Sequence, residues 1–82
     1  MQINKNIAIS DSGFIFNPSS GDSFSTNQVG LEIIRLLKEN KDNKEIISEI
    51  VAKFSIDEST LEKDLGDFFL MLRSYQLLNE ND

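Results

Sequence analysis

Apolar residues in the first third of the chain recur at every second position, separated by small or polar residues. This spacing is typical of strands with one buried face. The segments SDSG and NPSSG, which lie between the apolar runs, hold the Gly, Pro, Asp and Asn that tight turns require. The pattern predicts a three-stranded antiparallel meander over about residues 6–26, against the alternative of an unstructured N-terminal arm. The apolar members of the runs are Ile7, Ile9, Phe14, Phe16 and Phe24.

From about residue 27 the apolar spacing changes to that of helical faces. Three such runs predict helices over about residues 27–39, 44–54 and 58–75. After the third helix, LLNEND is predicted to be a short apolar tag followed by a fraying polar tail. The order of elements predicts one small α+β domain over residues 1–82, of the winged helix-turn-helix type. Candidate N-caps of the helices are Thr26 or Asn27, Asp42 or Asn43, and Asp57.

A glycine interrupts the apolar face of the first predicted helix. Gly30 lies beside Val29 in that face, and a glycine inside a helix costs about 1 kcal/mol relative to alanine. The missing side chain should therefore have a structural benefit that offsets this cost, and we expect close packing of this helix against the sheet.

Composition removes most catalytic chemistry. The 82 residues include no cysteine and no histidine, so there is no disulfide, no thiolate metal site and no histidine general base. Serines and threonines have no histidine to activate them, and the four glycines are too scattered for a phosphate loop. We predict a protein that is not an enzyme and has no cofactor. Asp64 and Asp67 could hold a cation weakly or could simply form a solvated acidic face.

Charge and hydropathy bear on location and on nucleic acid. The N-terminus lacks the apolar core of a signal peptide, and the longest apolar run, residues 68–72, is too short to span a bilayer. A soluble cytoplasmic protein that does not bind membranes is expected. The winged-helix order raises DNA binding as an alternative, but the net charge is −6. From Asp57 onward the chain has seven acidic residues and two basic ones. This excess of negative charge would repel phosphates.

The third predicted strand, DSFST, would be the edge of the meander. Soluble proteins usually protect such an edge with lysine, proline or a bulge, and this segment has only Asp22 at its start. An unprotected edge can accept an added strand from a peptide. The third helix is the natural second wall of the resulting groove, with Leu61, Leu65 and Phe68 either lining it or belonging to the core. The edge could alternatively be covered by the chain's own tail.

The segment FIFNPSSGDSFSTNQVGLEIIRLL resembles the signature of the PqqD family, the small peptide-binding proteins of pyrroloquinoline quinone biosynthesis. Asn17 and Pro18 correspond to the family's turn, and Asn27 with Gly30 matches its N-x-x-G motif. The later STLEKDLGDFFLMLRSYQLL resembles the closing helix, and the similarity runs from about residue 7 to 78. Thr26 replaces a usual apolar residue, and Gln76 takes a place where the family commonly has Gly, so the helix end is expected to differ.

The resemblance implies a recognition domain that holds the leader segment of a ribosomally made precursor peptide as an added strand. The peptide would lie between the third strand and the third helix and be presented to a modifying enzyme such as a radical-SAM protein, a cyclase or a protease. Asp64 would pair with a leader Lys or Arg or remain solvated. The implied backbone partners are Ser23, Phe24, Ser25 and Thr26, and the implied groove residues are Leu61, Asp64, Leu65 and Phe68.

Three hypotheses follow: a leader-peptide binder, a winged-helix DNA-binding regulator, and a subunit that docks on another protein without an added strand. In the third, contacts would come from Leu31, Leu70 or Met71. A homodimer formed by edge-to-edge strand pairing also stays possible.

Overall fold

In the computed structural model, residues 2–4 and 6–79 are described. Within them, three antiparallel strands are followed by three helices, as the sequence predicts, and two short terminal strands are added. The helices begin and end within a residue or so of their predicted bounds. The elements are β1 (Gln2–Ile3), β2 (Ala8–Ile9), β3 (Phe14–Asn17), β4 (Asp22–Ser25), α1 (Gln28–Lys38), α2 (Asn43–Phe54), α3 (Glu58–Ser74) and β5 (Leu78–Asn79).

The three-stranded sheet is a meander in the order β2-β3-β4, with both neighbouring pairs antiparallel. Glycines form both turns, because Gly13 and Gly21 have φ angles of 93° and 80° that side chains disfavour. In the second turn the buried Asn17 accepts a bond from the amide of Ser19 through its side-chain oxygen. The predicted meander is thus confirmed, with β4 as the outer strand.

A two-stranded sheet of β1 and β5 was not predicted. Ile3 pairs with Leu78, and the amide of Asn4 donates to the carbonyl of Leu77 at 2.7 Å. Leu77 and Leu78 are both buried, so the apolar tag belongs to the core, and Leu78 lies in β5. Of the polar tail predicted beyond it, Asn79 lies in β5, and residues 80–82 lie outside the described residues.

Side-chain caps start all three helices. Asn27 accepts from the amide of Gly30, and Asp57 accepts from that of Thr60. Asp42 and Glu45 form a reciprocal capping box. These caps satisfy amides that have no partner inside the helix, and each falls on a residue that the sequence marked.

The core lies between the inner face of the sheet and the three helices. Isoleucines and leucines fill it, and α1 contributes most, with six buried residues. The residues that are most completely enclosed include Ile15, Ile34, Ile46, Ile50 and Leu72.

The end of α3 departs from a regular helix. Tyr75 caps the helix and Gln76 has a φ of 60°, a left-handed conformation that favours glycine. Gln76 therefore adopts a backbone conformation that would suit a glycine at this position. Among the described residues, every helix is too short or too polar to cross a membrane.

Candidate functional site

The outer edge of β4 has no strand partner among the residues that the structure describes. Within the described part of the chain, β4 pairs with β3 and with no other strand. It is four residues long and carries Asp22 as its one charged residue. A strand edge of this kind leaves a row of backbone donors and acceptors available.

The hydrogen bonds of β3 identify which groups of β4 point outward. The carbonyl of Phe14 accepts from the amide of Ser10, on the β2 side, whereas the amide of Thr26 donates to the carbonyl of Gly13 at 2.8 Å. Residues in an antiparallel ladder alternate between facing the partner and facing away. The amides and carbonyls of Ser23 and Ser25 therefore point away from β3, toward the open edge.

The side chains of β4 divide between two faces. Phe24 is half-buried and its ring stacks on that of Tyr75, with centroids 5.1 Å apart and planes inclined by 12°. Ser23 and Ser25 are exposed on the opposite face. The aromatic stack thus joins the inner face of the edge strand to the end of α3.

An open apolar groove begins where the chain leaves β4. Its volume is about 560 Å³. The first turns of α1, the α2–α3 link and one flank of α3 form its walls, and Asn27, the cap of α1, lies at the end next to the strand edge. Its apolar lining consists of Val29, Ile33, Ile56, Leu61, Phe68 and Met71.

Gly30 explains how the strand edge, α1 and α3 come together. A Cβ at this position would overlap the hydroxyl oxygen of Thr26 and lie 3.2 Å from a ring carbon of Phe68. The expected close packing is therefore present, but the space is filled by Thr26, just after β4, and by a side chain of α3. The missing side chain brings one wall of the groove against the end of the edge strand.

Two carboxylates border the groove. Asp64 and Asp67 both line it and are both exposed. Among the described residues neither takes part in an ion pair, and no group of three acidic side chains is arranged to hold a metal ion. The groove thus joins an apolar floor to an acidic rim.

The structure distributes the eight residues implied by the family resemblance unequally. Ser23 and Ser25 offer outward backbone groups, whereas the backbone groups of Phe24 and Thr26 face β3. Thr26 has its amide bonded to Gly13. On α3, three of the four residues line the groove, although Leu61 among them is a core residue with 2% exposure, and Leu65, with 3% exposure, belongs to the core alone. The three lining residues are Leu61, Asp64 and Phe68.

Sequence reasoning missed much of the lining. Val29 and Ile33 share the helical face that packs the core, so periodicity alone could not separate them. Ile56 had a usable signal, since it is the one apolar residue in the polar link SIDES. Met71 follows Phe68 by three residues, which puts the two on one flank of a helix. Asn27 and Asp67 complete the missed set.

These features define a class: a small α+β domain of three antiparallel strands and three helices, with an open strand edge beside an apolar groove. The model of the family of coenzyme PQQ synthesis protein D (PqqD) matches residues 13–78, and the chain belongs to that family. No curated protein matches the chain.

A solved structure has the same fold. It is described as TbiB1 in complex with the TbiA(beta) leader peptide. The two chains are 33% identical, the match covers 100% of this chain and 99% of that one, and the TM-score is 0.86. TbiB1 is thus a close structural neighbour that was solved with a leader peptide bound.

Proposed function

We propose that this protein is a non-catalytic module that binds the leader segment of a precursor peptide and presents it to a modifying enzyme. The leader joins the sheet as a strand next to β4 and extends toward the groove along α3. Main-chain bonds to the edge supply affinity, and side-chain contacts in the groove supply specificity.

The observation that carries the proposal is the row of outward backbone groups on Ser23 and Ser25, which ends beside the apolar groove. Two residues with both groups outward offer four hydrogen bonds to an added strand. Family membership supports the same function, as does the leader peptide bound to TbiB1. The family resemblance implies that a modifying enzyme is the second partner. A cytoplasmic location agrees with that role.

The charges of α3 disfavour the DNA-binding alternative. Within Glu58–Ser74, four acidic residues accompany two basic ones. A helix of this charge would lose affinity for a phosphate backbone rather than gain it. A titration with random duplex DNA at low salt checks this point, and binding there would contradict the proposal.

The test uses peptides selected from a displayed library of random linear peptides, with the TbiA(beta) leader as a second probe. The selected peptides are titrated into isotope-labelled protein and followed by NMR. We expect chemical-shift changes in residues 22–27 and along the groove flank of α3. Selection of no peptide, or shifts confined to α2, would contradict the proposed function.

A proline on the edge sharpens the test. Ser23→Pro removes an outward amide while leaving the bonds between β3 and β4, because prolines are tolerated where the amide faces away from the ladder. We expect this variant to fold and to lose most peptide affinity. Ser23→Ala is the matched control, since it changes the side chain but keeps the amide.

A further inference from the structure

The outer face of the meander exposes two large aromatic side chains on its middle strand. Phe14 is 48% exposed and Phe16 is 39% exposed. They are two residues apart on β3, so they point to the same face. Phenylalanines at such exposure on a central strand form an apolar surface that the rest of the described chain leaves uncovered.

The neighbours of this aromatic pair are small and uncharged. Phe16 lies between Ala8 of β2 and Ser23 of β4, and Phe14 lies beside Ser25. All five side chains are exposed. In a chain with a net charge of −6, an uncharged patch of this kind suits an apolar ligand rather than a charged one.

The two serines belong to this face and to the open edge at once. Their backbone groups point outward from β4, and their side chains stand beside the phenylalanines. In either strand direction, the residues of an added strand that lie opposite Ser23 and Ser25 would share the outer face with Phe16 and Phe14. Any peptide that pairs with the edge therefore extends the aromatic face by one strand.

Small serines leave space between the phenylalanines and such a peptide. Two strand spacings separate β3 from an added strand, which is about 10 Å between Cβ atoms. A phenylalanine on one side and a large apolar side chain on the other can meet above a serine over that distance. A larger residue on β4 would fill the gap.

We propose that the bound peptide is recognised on both of its faces. Residues opposite Ser23 and Ser25 are large and apolar, and they contact Phe16 and Phe14 on the outer face, while intervening residues turn toward the groove. The inference rests on the proposed function, and it identifies the ligand as a segment with apolar residues at consecutive positions. A strand held on one face alone would instead alternate apolar and polar residues.

The experiment measures the affinity of library-selected peptides for the variants Phe14→Ser, Phe16→Ser and the double variant. Because the double variant loses both phenylalanine contacts with the peptide, we expect it to bind about tenfold more weakly. Leu70→Ser is the matched control, since Leu70 is 60% exposed on α3 and does not line the groove. Serine at the peptide positions that lie opposite Ser23 and Ser25 should cause the same loss of affinity without altering the protein.

The outcomes separate this inference from the proposed function. Unchanged affinity in the double variant, with most affinity still lost in Ser23→Pro, would overturn the two-faced recognition and leave strand addition standing. If sedimentation showed that the double variant loses a dimer while its peptide affinity is unchanged, a second copy would cover the face and the inference would be wrong. Failure to select any peptide would overturn both.

Discussion

Helices α1 and α3 use their surfaces differently. α1 buries six of its eleven residues, and its apolar side chains are almost entirely enclosed. α3 is longer, with seventeen residues, but buries only four. Its remaining apolar flank, with Phe68 and Met71, is only partly buried against the core and lines the groove.

The difference separates a helix that mainly stabilises the fold from one that mainly presents a surface, although Val29 and Ile33 of α1 also line the groove. A residue enclosed on all sides contributes its whole apolar area to folding, whereas a half-exposed residue keeps area for a ligand. Substitutions in α1 should therefore change stability, and substitutions on the open flank of α3 should change binding.

The largest expected effect comes from truncating a core residue of α1. Ile34 is fully enclosed, with 0% exposure, and Ile34→Ala should lower the free energy of unfolding by about 2–5 kcal/mol. The matched change on α3 is Met71→Ala, which should cost less stability and weaken peptide binding. Urea unfolding and peptide titration measure the two quantities. Equal losses of stability in the two variants would erase the contrast between the helices.

A smaller effect is expected where the two helices meet. Gly30→Ala would place a methyl group against Thr26 and Phe68, and overpacking of this kind costs about 1–3 kcal/mol. Removing the Thr26 hydroxyl relieves part of the overlap, so Thr26→Ala should offset some of that loss in the double variant. Unfolding measurements on the two single variants and the double variant test the coupling.

The opposite result at Gly30 has a clear meaning. Alanine is the better helix former by about 1 kcal/mol. If Gly30→Ala stabilised the protein, the Thr26 side chain would have to move aside easily, and the close contact between α1 and the strand edge would not constrain the groove.

The smallest effect concerns the cap of α3. Hydrogen bonds from the Ser59 hydroxyl and the Thr60 amide lower the pKa of Asp57 below its ordinary value. A lowered folded-state pKa means that the stabilisation is complete above the unfolded-state pKa and is lost as the pH falls through the folded-state pKa. Asp57→Asn keeps a capping acceptor that does not titrate, so the wild type should be the more stable at neutral pH.

Thermal unfolding across the acid range checks the cap. The difference in Tm between wild type and Asp57→Asn should shrink as the pH falls below the usual Asp value of about 3.9. A difference that stays constant with pH would show that the charge of Asp57 does not stabilise α3.

Local chemistry made most of the fold predictable. Local signals of this kind determine the structure of residues that are close to them in the sequence. They include the turn glycines at 13 and 21, the caps and the helical stripes. The pairing of β1 with β5 has no such signal, because two-residue strands show no alternation and their partners lie at opposite ends of the described chain. Gln76 likewise adopts a left-handed conformation that its residue type does not indicate.

The site was predictable in outline. An edge strand poor in protecting residues could be recognised from DSFST, and Leu61 and Phe68 could be assigned to α3. Which backbone groups point outward depends on the ladder between β3 and β4, so the prediction could not separate Ser25 from Thr26. The groove could not be predicted from the pattern of one element, because α1, the α2–α3 link and α3 all contribute residues to it.

The open edge also limits how a bound peptide can slide. Sliding by one residue along β4 would exchange the peptide's two faces, because side-chain direction alternates at every position. Allowed positions are therefore two residues apart, and a shift of that size would lose the bonds to either Ser23 or Ser25. A ligand held by so short an edge binds in a single register. That register would fix the distance from the bound strand to any residue that an enzyme later modifies.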